Sequence, residues 1–231
     1  MPDFKSLNKK LHLNFKKIEL LKTAMTHRSY LNEHRGENLE HNERLEFLGD
    51  AVLELIVTEY LFNTYNKPEG ELTNLRSALV KGEMLNEIGK KLEIENYLLL
   101  SRGEARSKEH NRSFIVANAM EALIGALYLD QGYQGAQKFI ITYVIKELPQ
   151  ILKMRLYRDP KSLFQEKAQE MTGITPSYHL LDEHGPDHDK HFTIGVYLGR
   201  DLVAKGEGRS KQEGEQQAAE RALEEKGWNE I

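Results

Sequence analysis

Residues 42–65 form a helical run that is apolar yet carries a row of carboxylates. Leu45, Phe47, Leu48, Val52, Leu55, Ile56 and Leu61 recur close to a helical period. Glu43, Glu46 and Asp50 fall at i, i+3 and i+7, which puts three acids on one face of that helix. Carboxylates grouped on a core helix repel one another and resist desolvation unless a cation sits among them. A fold containing this helix has three options. It turns the acids to water, pairs them with Arg28, Arg44 or Arg76, or builds a cation site around them.

A second segment shifts the balance. Phe114–Leu129 is again nearly all apolar, yet carries Asn118 and Glu121 at i and i+3. Gly49 on the first run, and Ala117, Ala122 and Gly125 on the second, are small enough to let two helices approach closely. Two core helices with oxygen ligands on facing sides favour a metal site of the kind helical bundles build. The chain has no cysteine. That removes disulfides, zinc–thiolate sites and thiol nucleophiles, and hard oxygen donors select Mg²⁺ or Mn²⁺.

The rest of the chain reads as two domains. Residues 1–150 are mostly helical: the run just described, a break at Pro68-Glu69-Gly70, helices over Leu72–Val80 and Glu83–Leu92, and a charged linker from Ser101 to Ser113. The helix from Phe114 to Asp130 follows, then an interruption at Gly132 and a helix over Gln134–Leu148. Residues 151–158 read as a linker, closed by Asp159-Pro160, which opens a new helix. Strands follow over Ser177–Leu181, Phe192–Leu198 and Leu202–Glu207, then a helix over Gln212–Lys226. The expected fold is an all-α N-terminal domain plus a small α+β domain (α-β-β-β-α) over 159–227.

Composition sets limits on partners. No run approaches the roughly 18 apolar residues of a membrane span, and the polar, lysine-rich Met1–Lys17 lacks a signal-peptide core. Without cysteines, the expected setting is a reducing cytoplasm with no membrane partner. The formal net charge is −4, so any nucleic-acid contact has to come from local patches rather than from overall charge.

Glu43-Arg44-Leu45-Glu46-Phe47-Leu48-Gly49-Asp50 resembles the ribonuclease III signature, and Glu121-Ala122-Leu123-Ile124-Gly125-Ala126-Leu127-Tyr128-Leu129-Asp130 resembles that family's second acidic helix. Thr26-His27-Arg28-Ser29 before the signature and Leu72-Thr73-Asn74-Leu75-Arg76 after it match in order and separation, and the likeness spans essentially the whole chain. The resemblance implies an endonuclease domain that assembles as a homodimer and cuts double-stranded RNA by Mg²⁺-assisted hydrolysis (Mn²⁺ as a substitute), leaving 5′-phosphate and 3′-hydroxyl ends. It implies processing of ribosomal precursors and other structured RNAs. It makes Glu46 and Glu121 metal ligands, with Asp50 and Glu121 catalytic and Glu43 and Glu69 as supporting acids. The family has Asp where this chain has Asn118, so a neutral amide oxygen takes the third ligand position. One lost charge close to the ion forfeits roughly 1–4 kcal/mol at an effective dielectric near 20. Three readings stay open at this stage: a variant that still cuts, a double-stranded-RNA binder that does not, and an engineered inactive form. The retained Glu46, Asp50 and Glu121 favour cutting.

The C-terminal segment resembles the double-stranded-RNA-binding domain through Asp159-Pro160-Lys161, Leu163-Phe164-Gln165-Glu166, Pro176-Ser177-Tyr178, Gly185-Pro186-Asp187-His188, Gly206-Glu207-Gly208, Ser210-Lys211 and Ala218-Ala219. The resemblance puts Gln165 and Glu166 on one minor groove, Pro186 and His188 on the next, and Arg209, Ser210 and Lys211 on phosphate between them. Two departures stand out: Gln212 thins the basic run, and Gly214 costs its helix about 1 kcal/mol. His179, His184, His188 and His191 gather among aspartates, and Trp228 reads as a packing residue.

Overall fold

The computed structural model describes residues 2–34, 36, 39–106, 109–153, 159–186 and 190–228. Two compact units divide the chain, Met1–Tyr157 and Arg158–Ile231. The first is helical: α1 (Phe4–Lys10), α2 (Ile18–Ala24), α3 (Arg28–Glu33), α4 (Glu43–Thr64), α5 (Glu69–Val80), α6 (Gly82–Lys91), α7 (Glu109–Tyr143) and α8 (Leu148–Lys153). In the second, α9 (Pro160–Thr172) precedes β1 (Ser177–His184), β2 (His191–Leu198) and β3 (Asp201–Gly208), and α10 (Lys211–Glu225) closes it.

Helices α4 and α7 lie against each other at the centre of the first unit, and two glycines set their separation. A Cβ built on Gly49 would stand 1.8 Å from the Glu121 carbonyl oxygen, and one on Gly125 would stand 2.2 Å from the Leu45 carbonyl oxygen. The backbones touch here, so no larger residue fits. Val52, Leu53, Ile56, Met120, Leu123, Ile124 and Leu127 fill the core on either side of this contact. Asn42 fixes the start of α4: it is buried, its backbone N–H donates to the Thr26 carbonyl (2.9 Å), and its side-chain amide reaches the Ala24 carbonyl (3.3 Å).

By length and composition Asn111–Lys153 passes for a membrane span, but 61% of its most apolar window is buried inside the unit. It is the core helix, interrupted at Gly132 where φ is 70°. The sequence reading anticipated that break. It did not anticipate that α7 starts as early as Glu109, inside the expected charged linker. Nor does Pro68-Glu69-Gly70 merely end α4: Pro68 is the N-cap of α5, and Glu69 is its first residue, where an acid complements the helix dipole. Helix α8 carries Ile151 into the core of the helical unit.

In the second unit the sheet is antiparallel in the order β1-β2-β3, with His184 opposite His191 and Phe192 opposite Gly208. β1 runs three residues past the expected Leu181 because Asp182, Glu183 and His184, loop-like in composition, pair with β2. Asp159 caps α9 by accepting from Lys161 and Ser162. The core packs Phe164 and Ala168 of α9 against Val196, Leu198, Ala218, Ala219, Ala222 and Leu223. Trp228 lies 5.6 Å from Phe164, the packing role expected of it. Gly214 has a structural reason that offsets its helix cost: a Cβ there would meet Ile194 at 2.7 Å.

Gly125→Ala forces a methyl into the α4–α7 contact and should lower stability by about 3 kcal/mol or more. Gly70→Ala, a helical position with nothing within 4 Å, should instead add up to about 1 kcal/mol. Denaturant midpoints of the two variants check the contrast; equal midpoints would mean the helices separate freely.

Candidate functional site

The α4–α7 contact gathers the acids. Glu121 supplies the carbonyl that abuts Gly49, and its carboxyl feels the charges of Asp50 and Glu46 of α4. The charges register one another. Burial, then Asp50 and Glu46, push the Glu121 carboxyl up to about 7. Burial and Glu43 also raise Glu46, with Asp50 adding a little, while a hydrogen bond from the Asn118 amide opposes the rise. Helix α4 thus contributes Glu46 and Asp50 to this point, and α7 contributes Asn118 and Glu121.

The neutralising options weighed from sequence now separate. Arg28 approaches Glu43 at 3.7 Å and His41 approaches it at 3.8 Å. Arg76 turns away and donates to Thr58 at 3.2 Å. Among the described residues no ion pair engages Glu46, Asp50 or Glu121. Two half-buried carboxylates, an amide oxygen donor and an exposed third acid form a hard-oxygen set that suits a divalent cation. Among the described residues no three His, Cys, Asp or Glu side chains already close on one point as a complete ligand set. Glu69 stands apart: it is exposed at the start of α5, and its charge is not among those that shift Glu46 or Glu121.

Comparison with known proteins identifies the family to which the chain belongs. Residues 17–148 match the family model described as Ribonuclease-III-like, and residues 160–226 match the Double-stranded RNA binding motif. The chain belongs to the ribonuclease III family. Ribonuclease 3 of Carboxydothermus hydrogenoformans is 47% identical over 95% of this chain and 94% of its own length. Ribonuclease 3 of Borreliella burgdorferi is 43% identical over 92% and 87%. The nuclease domain of ribonuclease III from Campylobacter jejuni, described for flexibility in a region involved in dimer formation, superimposes with a TM-score of 0.57. It shares 36% identity and covers 64% of this chain and 99% of its own. As a family member the chain is an endoribonuclease, and a silent RNA binder is not the favoured reading.

Two residues of the matched flanking motifs have structural roles. His27 caps α3, its Nδ1 accepting from the Ser29 N–H at 3.2 Å, and burial lowers its pKa. Asp130, which ends the second acidic motif, accepts the backbone N–H groups of Lys16 (2.8 Å) and Lys17 (2.9 Å). His41 was missed in the sequence, because its approach to Glu43 depends on how the segment before α4 folds back.

In the second unit, Gln165 and Glu166 are exposed on α9 and line an open concavity with Ser162, Gln169 and Glu170. Pro186 is exposed just beyond β1, and His188 lies outside the described residues. Arg209, Ser210 and Lys211 are exposed together at the start of α10. Ser210 accepts from the Glu213 N–H, Glu213 accepts from the Arg209 N–H (2.7 Å), and the Lys211 ammonium lies 5.9 Å from the Phe192 ring centre. Lys161 pairs with Glu215 at 2.6 Å and ties α9 to α10.

The raised Glu121 carboxyl links stability to pH. The folded chain keeps a proton there up to about pH 7, whereas an ordinary glutamate releases it near 4.5. Between those values the native state binds more protons than the unfolded state, so metal-free stability falls as pH rises through the window. Urea midpoints in excess EDTA should therefore drop from pH 4.5 to pH 7, and Glu121→Gln should flatten the decline. A slope that survives the substitution assigns the proton to another group.

Proposed function

We propose that the protein cuts double-stranded RNA by divalent-metal-assisted phosphodiester hydrolysis, leaving 5′-phosphate and 3′-hydroxyl ends. The observation that carries this reading is the set of unneutralised acids at the α4–α7 contact. Glu46, Asn118 and Glu121 would hold Mg²⁺, with Mn²⁺ as a substitute, and Asp50 completes the centre. Such an ion lowers the pKa of its bound water and offsets charge building on the phosphate. Glu121 must lose its proton to serve as a ligand, so metal affinity tightens as pH rises through about 7. Asn118 must exchange its amide N–H contact with Glu46 for one through its oxygen. Glu43, braced by Arg28 and His41, and Glu69 are supporting acids on the substrate side.

The RNA is gripped by the second unit: Gln165 and Glu166 on one minor groove, Pro186 and His188 on the next, and Arg209, Ser210 and Lys211 on the phosphates between. Ribosomal RNA precursors and other structured RNAs in the cytoplasm are the proposed substrates. The functional unit is a homodimer formed through the nuclease domain. Phe47, Leu55 and Phe62 are exposed at 84%, 58% and 74%, an apolar stripe that a monomer leaves in water. They lie within about 80° of one another around α4, beside the acid face.

The deciding experiment incubates a labelled RNA duplex with the wild-type protein, Asn118→Asp and Glu121→Gln across a Mg²⁺ series. The wild-type protein should cut, Asn118→Asp should reach half-maximal cutting at about tenfold less Mg²⁺, and Glu121→Gln should bind without cutting. If only Asn118→Asp cuts at any Mg²⁺ or Mn²⁺ concentration, the natural site is disarmed and the nuclease reading fails. Separately, Phe47→Asp should halve the mass in sedimentation equilibrium; an intact dimer would place the interface elsewhere.

A further inference from the structure

Away from the acid centre, a cavity of about 280 Å³ opens between the loop after α1 and the second half of α7. Its floor is apolar, built from the buried Leu13, Leu127 and Phe139, and the Phe139 and Tyr143 rings sit 4.9 Å apart. Gln131, on its wall, stands roughly 15 Å along α7 from Glu121, at about 1.5 Å of rise per residue.

The loop wall is held in place rather than left slack. His12 and Asn14 are two of the three non-glycine residues with positive φ among the described residues, at 49° and 56°. Such a backbone persists only where its surroundings fix it, and three side chains do so. Tyr143 donates to the Leu11 carbonyl (3.3 Å), Asn14 to that of His12 (3.0 Å) and Gln131 to that of Leu13 (2.8 Å). Gln131 also donates to Asp130, so its carbonyl oxygen is the group left for a ligand. That oxygen lies 3.0 Å from where a Cβ on Gly135 would stand, and the same Cβ would press on the Gln131 Cβ at 2.4 Å. Glycine at 135 therefore keeps the amide seated. No carboxylate lines the cavity among the described residues, and exposed Lys138 and His12 stand at its rim. An apolar floor beneath acceptor oxygens and an ammonium suits a flat ring that offers N–H donors and bears an anion.

We infer that this cavity binds a single nucleotide. The base lies against Leu13 and Phe139, its N–H groups meet the side-chain oxygens of Gln131 and Asn14, and the phosphate meets Lys138. A free nucleotide and the unpaired end of an RNA strand share this chemistry. The site is independent of the nuclease reading, since it uses none of the acids and needs no metal.

The test titrates the full-length protein with GMP, whose base edge carries N–H donors, while methyl ¹³C NMR follows Leu13 and Leu127. Excess EDTA keeps any metal from recruiting the phosphate elsewhere. The expected result is one saturable site that moves both sets of methyls. Ribose 5-phosphate, which lacks the base, should bind at least about tenfold more weakly. Lys138→Ala should weaken GMP binding by about tenfold and leave guanosine binding unchanged. Lys138 is exposed, so its loss leaves the core intact. Displacement of GMP by an RNA duplex with an unpaired terminal nucleotide assigns the natural occupant to an RNA end; failure to displace it assigns a free nucleotide. Absence of a saturable methyl shift, equal binding of ribose 5-phosphate, or full GMP affinity in Lys138→Ala would overturn the inference.

Discussion

The backbone contact at Gly49 and Gly125 is the constraint on which the nuclease unit depends. It places two helices close enough for Glu46, Asp50, Asn118 and Glu121 to share one electrostatic neighbourhood. The apolar packing on either side supplies the free energy that holds those acids together against their repulsion. Much of the remaining architecture keeps α4 in place. Asn42 pins its start to the end of α2, and the bridge between Thr26 and Leu99 anchors that end in turn. The cation proposed for these acids would act on the same contact as the apolar core, which would link metal binding to folding.

The second unit uses the same device for a different purpose. Gly206, Gly208 and Gly214 let α10 lie directly on β2 and β3: a Cβ on Gly206 would stand 2.2 Å from the Ala218 nitrogen. That seating fixes the N-terminal end of α10, where Arg209, Ser210 and Lys211 project into solvent. The exposed cations are few, and Glu213 sits within the same turn as part of the cap. Placement of charge, rather than its amount, is what this surface offers to a polyanion.

Much of this was legible in the sequence for identifiable reasons. The acids at i, i+3 and i+7 on an apolar run pointed to the acid cluster at the α4–α7 contact, and the small residues Gly49 and Gly125 told how the two helices meet. Long periodic segments gave α4 and α7, and Gly132 marked the break in α7. What escaped had weaker local signals. The short helices α1–α3 have little periodicity and are held by tertiary contacts. Asp182–His184 is charged enough to look like a loop, yet its backbone pairs with β2. Gly214 read as a flaw until Ile194 was seen beneath it. The partners of Glu43 depended on fold-back: Arg28 was one of three candidates, and His41 was not among them.

Asp130 gives a motif residue a purpose away from the chemistry. By accepting the backbone N–H groups of Lys16 and Lys17, it fastens the segment before α2 to α7 just ahead of the Gly132 interruption. Backbone donors carry no side-chain identity, so the residues at 16 and 17 are free to vary while the clasp persists; only proline, which lacks the N–H, is barred. The N-terminal segment is thereby a working strut of the nuclease unit, held by the buried side chains of Leu7, Leu11, Leu13 and Phe15 and, at positions 16 and 17, by backbone alone.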